Sequence, residues 1–178
     1  MIEFKLGDRL DVMRNMADKS VDVLFTSPPY NRKRNDKYSL YDDSVNDYFG
    51  FIQDTIDEGL RVTKRHIILN LQSNYYNRED VYRIIGQYSK IIQNIIIWEK
   101  SNPLPASGYN ITNSYEMFLI IGNTPLRSNT TYTKNHITTS VNSTTTTKIH
   151  KAVMKQEVSD WFISQFTKEN ETILACIS

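Results

Sequence analysis

Val21-Asp22-Val23-Leu24-Phe25-Thr26-Ser27-Pro28-Pro29-Tyr30 is the stretch from which the rest of the chain is read. Branched and aromatic residues run up to Phe25, the pattern of a buried strand. The run halts at Pro28-Pro29. Proline gives no N–H to a strand ladder, fixes its own φ and restricts the residue before it. Ser27-Pro28-Pro29-Tyr30 is therefore expected as a stiff loop at the carboxyl end of a strand, where open α/β sheets hold their ligands. A serine hydroxyl and a proline carbonyl accept hydrogen bonds from an exocyclic NH2, and a tyrosine ring stacks on a flat one. A plain Pro-rich turn after a core strand has the same four residues, and the tetrapeptide alone leaves both readings open.

Upstream, Met1–Asp8 alternates apolar and polar residues through Ile2, Phe4 and Leu6, which predicts a half-buried strand ending at Gly7-Asp8. Leu10, Val12, Met13 and Met16 follow at near-helical spacing. The chain thus opens as strand, short helix, strand, with Asp8 at the tip of the first strand and in position to cap the helix.

Downstream, Asn31–Asn46 is polar, and Arg32, Lys33, Arg34 and Lys37 precede Tyr38 and Tyr41. Such a group suits phosphates and a displaced base, and equally a solvated loop. Tyr48–Val62 carries an apolar helical stripe, with acids on the other face. His66–Leu71 is a strand with His66 at its edge, and Tyr75–Gln87 a helix. Ile91–Trp98 and Ser114–Gly122 are strands joined through Pro103 and Pro105, expected as an antiparallel edge pair. Asn123–Lys148 is packed with Thr, Ser and Asn and lacks apolar periodicity, so it reads as a loop. His150–Phe166 returns to helix, and Glu171–Ile177 to strand.

Thr26-Ser27-Pro28-Pro29-Tyr30-Asn31 resembles motif IV of the amino methyltransferases of DNA, written (Asp/Asn/Ser)-Pro-Pro-(Tyr/Phe/Trp). Two later stretches match the family in order. They are Trp98-Glu99-Lys100-Ser101-Asn102-Pro103-Leu104-Pro105 and Asn113-Ser114-Tyr115-Glu116. His150-Lys151-Ala152-Val153-Met154-Lys155 is similar to motif X, with lysine where proline is usual. The resemblance implies a Rossmann-like α/β sheet, mostly parallel with an antiparallel edge pair, circularly permuted so that the catalytic half comes first. Residues 1–122 are then the catalytic half of a single domain. Residues 123–149 form a polar loop in the place of the target-recognition region, and 150–178 the motif X helix and motif I strand.

The function so implied is methyl transfer from S-adenosylmethionine to an exocyclic base amine of flipped-out DNA. The serine version of motif IV is typical of N4-cytosine members, and the aspartate or asparagine version of N6-adenine members. Ser27, Pro28, Pro29 and Tyr30 are the implied catalytic loop. Asp8, Thr26, His150, Ala152 and Met154 fall to the cofactor, and Arg32, Lys33, Arg34, Lys37, Arg127 and Lys134 to DNA. Ala175-Cys176-Ile177-Ser178 stands where the family has Asp-Pro-Phe-x-Gly-x-Gly. The resemblance therefore implies a sheet incomplete at its C-terminus, through truncation, through completion by a second chain or homodimer, or as a non-catalytic DNA-binding remnant. In each case the 178 residues alone are expected to bind S-adenosylmethionine weakly.

Size and charge fit without deciding. A chain of 178 residues forms one domain with a proper core. Its net charge of +1 means that any DNA-binding charge is local. One cysteine, Cys176, in an apolar run excludes a disulfide framework and reads as core, which disfavours chemistry through a cysteine nucleophile. Three scattered histidines have no metal-ligand spacing, so no metal is expected. No signal peptide or membrane-length apolar run is visible, and the expected location is the cytoplasm.

Overall fold

The computed structural model describes residues 3–32, 43–103, 105, 106, 108, 110–140 and 154–177. Six strands form one sheet: β1 (Val21–Ser27), β2 (Thr63–Leu71), β3 (Ile92–Lys100), β4 (Tyr115–Ile121), β5 (His136–Thr139) and β6 (Ile173–Ile177). Their order across the sheet is β5-β3-β4-β2-β1-β6. β1 pairs in parallel with β2 and β6, and β3 with β5. β4 runs antiparallel to both of its neighbours, β2 and β3.

Period-two alternation sorts the strand side chains onto two faces. Ile67, Leu69 and Leu71 of β2 join Met117, Leu119 and Ile121 of β4 in one cluster. Helices α1 (Arg9–Arg14), α2 (Tyr48–Val62) and α3 (Arg78–Gln87) cover it with Met13, Ile52, Ile56, Val81 and Ile84. Val23, Ile68, Phe118 and Ile120 face the other way, under Val158, Phe162 and Phe166 of α4 (Gln156–Phe166). Burying one such side chain contributes about 1.5–3 kcal/mol, so each face is held by its own core.

α2 lies close against the sheet at Gly59, where a Cβ would come within 2.7 Å of Ile67 Cδ1 and 2.8 Å of Leu24 Cδ2. Arg61 joins the end of that helix to the end of α1. Its Nη1 donates to Met16 O at 2.8 Å and its Nη2 to Met13 O at 2.6 Å.

Three expectations need correction. Residues 3–8 form no strand, and Phe4 and Leu6 are exposed. Alternation is a side-chain pattern, and a strand also needs a neighbouring edge with which to exchange backbone hydrogen bonds. The pairing of β3 with β4 is antiparallel as expected, but it is not at the edge, because β5 flanks β3. Residues 123–140 are also more than a loop. They contain β5, whose Thr139 Oγ1 accepts from Trp98 Nε1 at 2.9 Å. They are fastened to α4 as well: Asn129 Nδ2 donates to Ser164 O at 2.8 Å and to Thr167 O at 2.6 Å. Hydroxyl and amide side chains do here what apolar periodicity does elsewhere, which is why that signal was absent. Among the described residues no helix is long and apolar enough to cross a membrane.

Candidate active site

β1 ends at Ser27, and Pro28-Pro29 carry the chain off the sheet. The loop is fastened from the next strand's exit. Asn74 Nδ2 and Asn77 Nδ2 donate to Tyr30 O at 2.7 and 2.8 Å, and Asn77 Nδ2 also donates to Gln72 O at 2.9 Å. Asn31 sits at φ 49°, in the left-handed region that asparagine tolerates. Its Oδ1 accepts from Val45 N at 3.0 Å.

Four elements then converge on Tyr30. Its hydroxyl donates to Glu116 Oε2 at 2.7 Å and lies against Asn70 Oδ1. Ser27 Oγ donates to the same Asn70 Oδ1 at 3.0 Å. Glu116 Oε1 is taken by Lys100 Nζ at the end of β3. Glu116 starts the antiparallel strand β4, so it stands at the same edge as the carboxyl ends of β1, β2 and β3. A phenol has one proton to give, and a charged carboxylate is a stronger acceptor than an amide oxygen. The Tyr30 proton therefore goes to Glu116, and the Ser27 proton to Asn70. Ser27 Oγ also lies 3.5 Å from the Tyr30 hydroxyl.

Burial, and then the Glu116 charge, push the Tyr30 phenol well above its ordinary value, so it stays a donor. Glu116 is 5% exposed, and a carboxylate that deep is tolerable only with partners, which Lys100 and Tyr30 supply.

Asp8 is the N-cap of α1, its Oδ1 accepting from Leu10 N at 2.8 Å and Asp11 N at 3.4 Å. It does not stand on a strand tip, because that strand does not form, and its carboxylate is exposed. Arg9 follows it, stacked 3.6 Å over the Phe51 ring, and its charge is felt at Cys176 in β6. Asp8 thus lies at the amino end of α1, next to Arg9, whose Nε donates to Thr55 Oγ1 of α2 at 2.9 Å; β6 and β1 end side by side, Ser27 opposite Ile177. Thr26 is buried, and its Oγ1 donates to Cys176 O at 3.3 Å, joining those two strands. Burial pushes the Cys176 thiol up, Arg9 opposing, which suits a core residue. His66 is buried near the start of β2, its Nε2 2.9 Å from Thr124 O.

Not every expected site residue gathers here. Met154 packs against the core under α4. Arg127 and Lys134 are exposed, and Arg127 stands at the opposite edge, between the Thr124 contact to His66 and the Asn129 grip on the end of α4. The cause is the direction of β4, which delivers the chain to the amino ends of the parallel strands. Lys33, Arg34, Lys37, His150 and Ala152 lie outside the described residues. Arg32 is described, and it donates to Gln72 Oε1. Asn70, Asn74, Asn77, Glu116 and Lys100 were not singled out from sequence as site residues. A signal existed for three of them: Lys100 and Glu116 stand in the two later motif stretches, and Asn70 is a lone amide inside Ile67-Ile68-Leu69-Asn70-Leu71.

Comparison with known proteins bears on the family and the fold. Residues 21–174 match the N6_N4_Mtase family model, described as DNA methylase. The chain is 28% identical over 186 residues to the type II methyltransferase M.MwoI of Methanothermobacter wolfeii, covering 94% of this chain and 27% of that protein. It is 27% identical over 128 residues to M.HinfI of Haemophilus influenzae, covering 64% of this chain and 36% of the relative. The chain thus spans roughly a third of the length of the curated relatives it matches. Among solved structures, the cytosine-N4-specific PvuII DNA methyltransferase superposes with a TM-score of 0.73 at 16% identity, over 96% of this chain and 72% of that one. M1.HpyAVI in complex with S-adenosylmethionine gives 0.64 at 17% identity, over 99% and 83%. With its family model matched from β1 into β6, this chain belongs to the N6/N4 DNA methylase family.

Proposed function

We propose that this chain carries the base-binding half of a DNA methyltransferase that moves a methyl group from S-adenosylmethionine to an exocyclic base amine, cytosine N4. The observation that carries this is the contact of Ser27 Oγ at the end of β1 with Asn70 Oδ1, 3.0 Å long. A hydroxyl that donates its one proton to that amide oxygen can meet a substrate only as an acceptor, the role an NH2 group requires. The Pro28 carbonyl is the second acceptor.

Accepting both amine hydrogens draws the nitrogen lone pair out of conjugation with the ring and leaves it as the nucleophile. The amine sits inside a paired duplex, so the base is extruded to reach the loop. The Tyr30 ring stacks on it, held in place by its anchored hydroxyl. Arg32, Lys33, Arg34 and Lys37 meet the phosphates of the same strand.

The residues present fit S-adenosylmethionine in one respect. Asp8, the N-cap of α1, offers an exposed carboxylate, an acceptor for the adenine amine. Thr26 contributes by keeping the ends of β1 and β6 joined. When bound, the cofactor supplies an electrophilic methyl group. Every other contribution is positional: aligning the amine and excluding water cost the protein no covalent chemistry. Among the described residues β6 pairs only with β1, so its outer edge is available to a further strand, of this protein or of a second chain.

The test is transfer of labelled methyl groups to DNA, followed by digestion to nucleosides. N4-methylcytosine is the expected product. N6-methyladenine would overturn the cytosine reading, and DNA binding without transfer by the completed enzyme would make the chain a non-catalytic binding subunit.

A further inference from the structure

The loop between β2 and α3 does more than hold Tyr30. Tyr75 and Tyr76 project from it with 77% and 54% of their surface exposed. Their rings meet edge to face, centroids 5.3 Å apart at 88°. Arg78 places its guanidinium 5.5 Å from the centre of the Tyr75 ring. Both rings keep more than half of their surface accessible, and neither belongs to a core cluster.

Their backbone is tightly tied. Asn74 Oδ1 accepts from Tyr76 N at 2.9 Å, and Asn74 N donates to Asn77 Oδ1 at 2.7 Å. Asn74 and Asn77 are the same two residues that grip Tyr30 O. One turn thus fixes both the candidate base-binding loop and the two exposed rings relative to each other. Both also leave the sheet at its carboxyl edge, from the parallel neighbours β1 and β2.

We propose that Tyr75, Tyr76 and Arg78 form a stacking platform for an unpaired nucleotide flanking the target base, a reading that rests on the proposed action on DNA. Every base has a π-face, so aromatic platforms accept unpaired nucleotides regardless of sequence, and an arginine beside the rings adds cation–π contact and a phosphate partner. Extruding a base unstacks its neighbours. A ring supplied next to the vacated position lowers that cost, and two rings on a turn whose backbone is tied to Tyr30 O are carried close to it. Glu79 follows Arg78 and is exposed, while Asp80 pairs with Arg83 at 3.4 Å. The local charge is therefore close to balanced, and the platform acts by stacking more than by attraction to phosphate.

The experiment is fluorescence anisotropy of the whole chain with a labelled single-stranded oligodeoxynucleotide and with a duplex carrying one mismatch. The joint change Tyr75→Ala and Tyr76→Ala is expected to weaken single-strand binding roughly five- to a hundredfold, the range that stacking of one base commands. The joint change to Phe keeps binding within about twofold, because only the rings are needed. Both pairs are exposed, and unchanged melting curves establish that the fold survives. Tyr75→Trp adds a direct reading, since the indole emission is quenched when a base stacks on it. If the parent chain binds DNA and the alanine pair binds equally well, the platform is overturned while the action on DNA stands. If the phenylalanine pair is as weak as the alanine pair, or the indole is not quenched, stacking is overturned. If the parent chain binds neither DNA, the proposed function itself falls, and this inference with it.

Discussion

The Tyr30 hydroxyl donates to Glu116 Oε2 at 2.7 Å, joining the residue that closes the Pro-Pro loop to a carboxylate at the start of β4. The partners are 86 positions apart in the chain, and Lys100 completes the group from β3. A residue chosen from sequence for its ring thus owes its position to its hydroxyl.

Tyr30→Phe is accordingly expected to be damaging, although the ring is kept. The substitution leaves Glu116 with Lys100 but without its second donor, and a buried acceptor deprived of a partner costs about 1–3 kcal/mol. Urea denaturation of the two proteins measures it. A loss below about 0.5 kcal/mol would mean that water replaces the phenol freely and that the hydroxyl does not hold the loop.

The same phenol makes stability depend on alkali. Burial and the Glu116 charge raise its folded-state pKa well above the ordinary 10.0. A raised folded value means the neutral form is favoured in the folded protein. Its contribution is full below about pH 10 and is lost as pH rises from there toward the folded value. Tyr48 and Tyr88 are shifted the same way, Tyr48 by burial, Tyr88 by burial and by donating to Asp57 Oδ1 at 2.6 Å. Melting temperature should therefore fall steeply above pH 10, and Tyr30→Phe should flatten that fall. An equal slope in the variant would assign the alkaline transition to the other two tyrosines.

Much of this arrangement could be read from the chain, and the remainder for a definable reason cannot. Val21–Ser27 is visible because burial on both faces fills it with branched and aromatic residues, and Tyr48–Val62 because burial of one face enforces period 3.6. The strand expected at residues 3–8 had the period without a partner, and β5 had the partner without the period. The candidate tetrapeptide Ser27-Pro28-Pro29-Tyr30 stands out because prolines are local. What fixes it, Asn70, Glu116 and Lys100, is distributed over three strands, and one residue type in isolation does not say which of its neighbours in space it meets. The later motif stretches contain two of the three, so family likeness reaches further here than pattern alone.

Gly59 tests the packing of α2 on the sheet. Alanine is a better helix former than glycine by about 1 kcal/mol, which would stabilise an exposed helix. Here its methyl would fall within 2.7 Å of Ile67 Cδ1 and 2.8 Å of Leu24 Cδ2. Overpacking a core costs about 1–3 kcal/mol, so the clash wins and Gly59→Ala is a net loss of about 1 kcal/mol. Ile67→Val removes one offending methyl. Alone it should cost about 0.5–1.5 kcal/mol, and less in the Gly59→Ala background. Strict additivity in the four-protein thermal cycle would show that the helix shifts outward instead of pressing on Ile67.

Ser27→Ala probes the chemistry most directly. The hydroxyl is proposed to accept an amine hydrogen as the nitrogen changes geometry, so the contact strengthens toward the transition state and belongs to kcat. Its donor bond to Asn70 Oδ1 at 3.0 Å orients it for this, and Asn70 keeps other contacts when it is lost. Cofactor binding is proposed to rest on other residues, Asp8 among them, and should be nearly unaffected. In the completed enzyme, removal of one such hydrogen bond should cost about 1–3 kcal/mol, which is roughly ten- to a hundredfold in turnover. Asn70→Ala should imitate part of the effect by letting the serine proton rotate toward the substrate, and the two changes together should cost little more than Ser27→Ala alone. Single-turnover rates on saturating DNA separate these expectations from weakened binding. Full additivity of the two changes would show that Asn70 contacts the substrate itself, and an undiminished rate for Ser27→Ala would remove the amine from this loop.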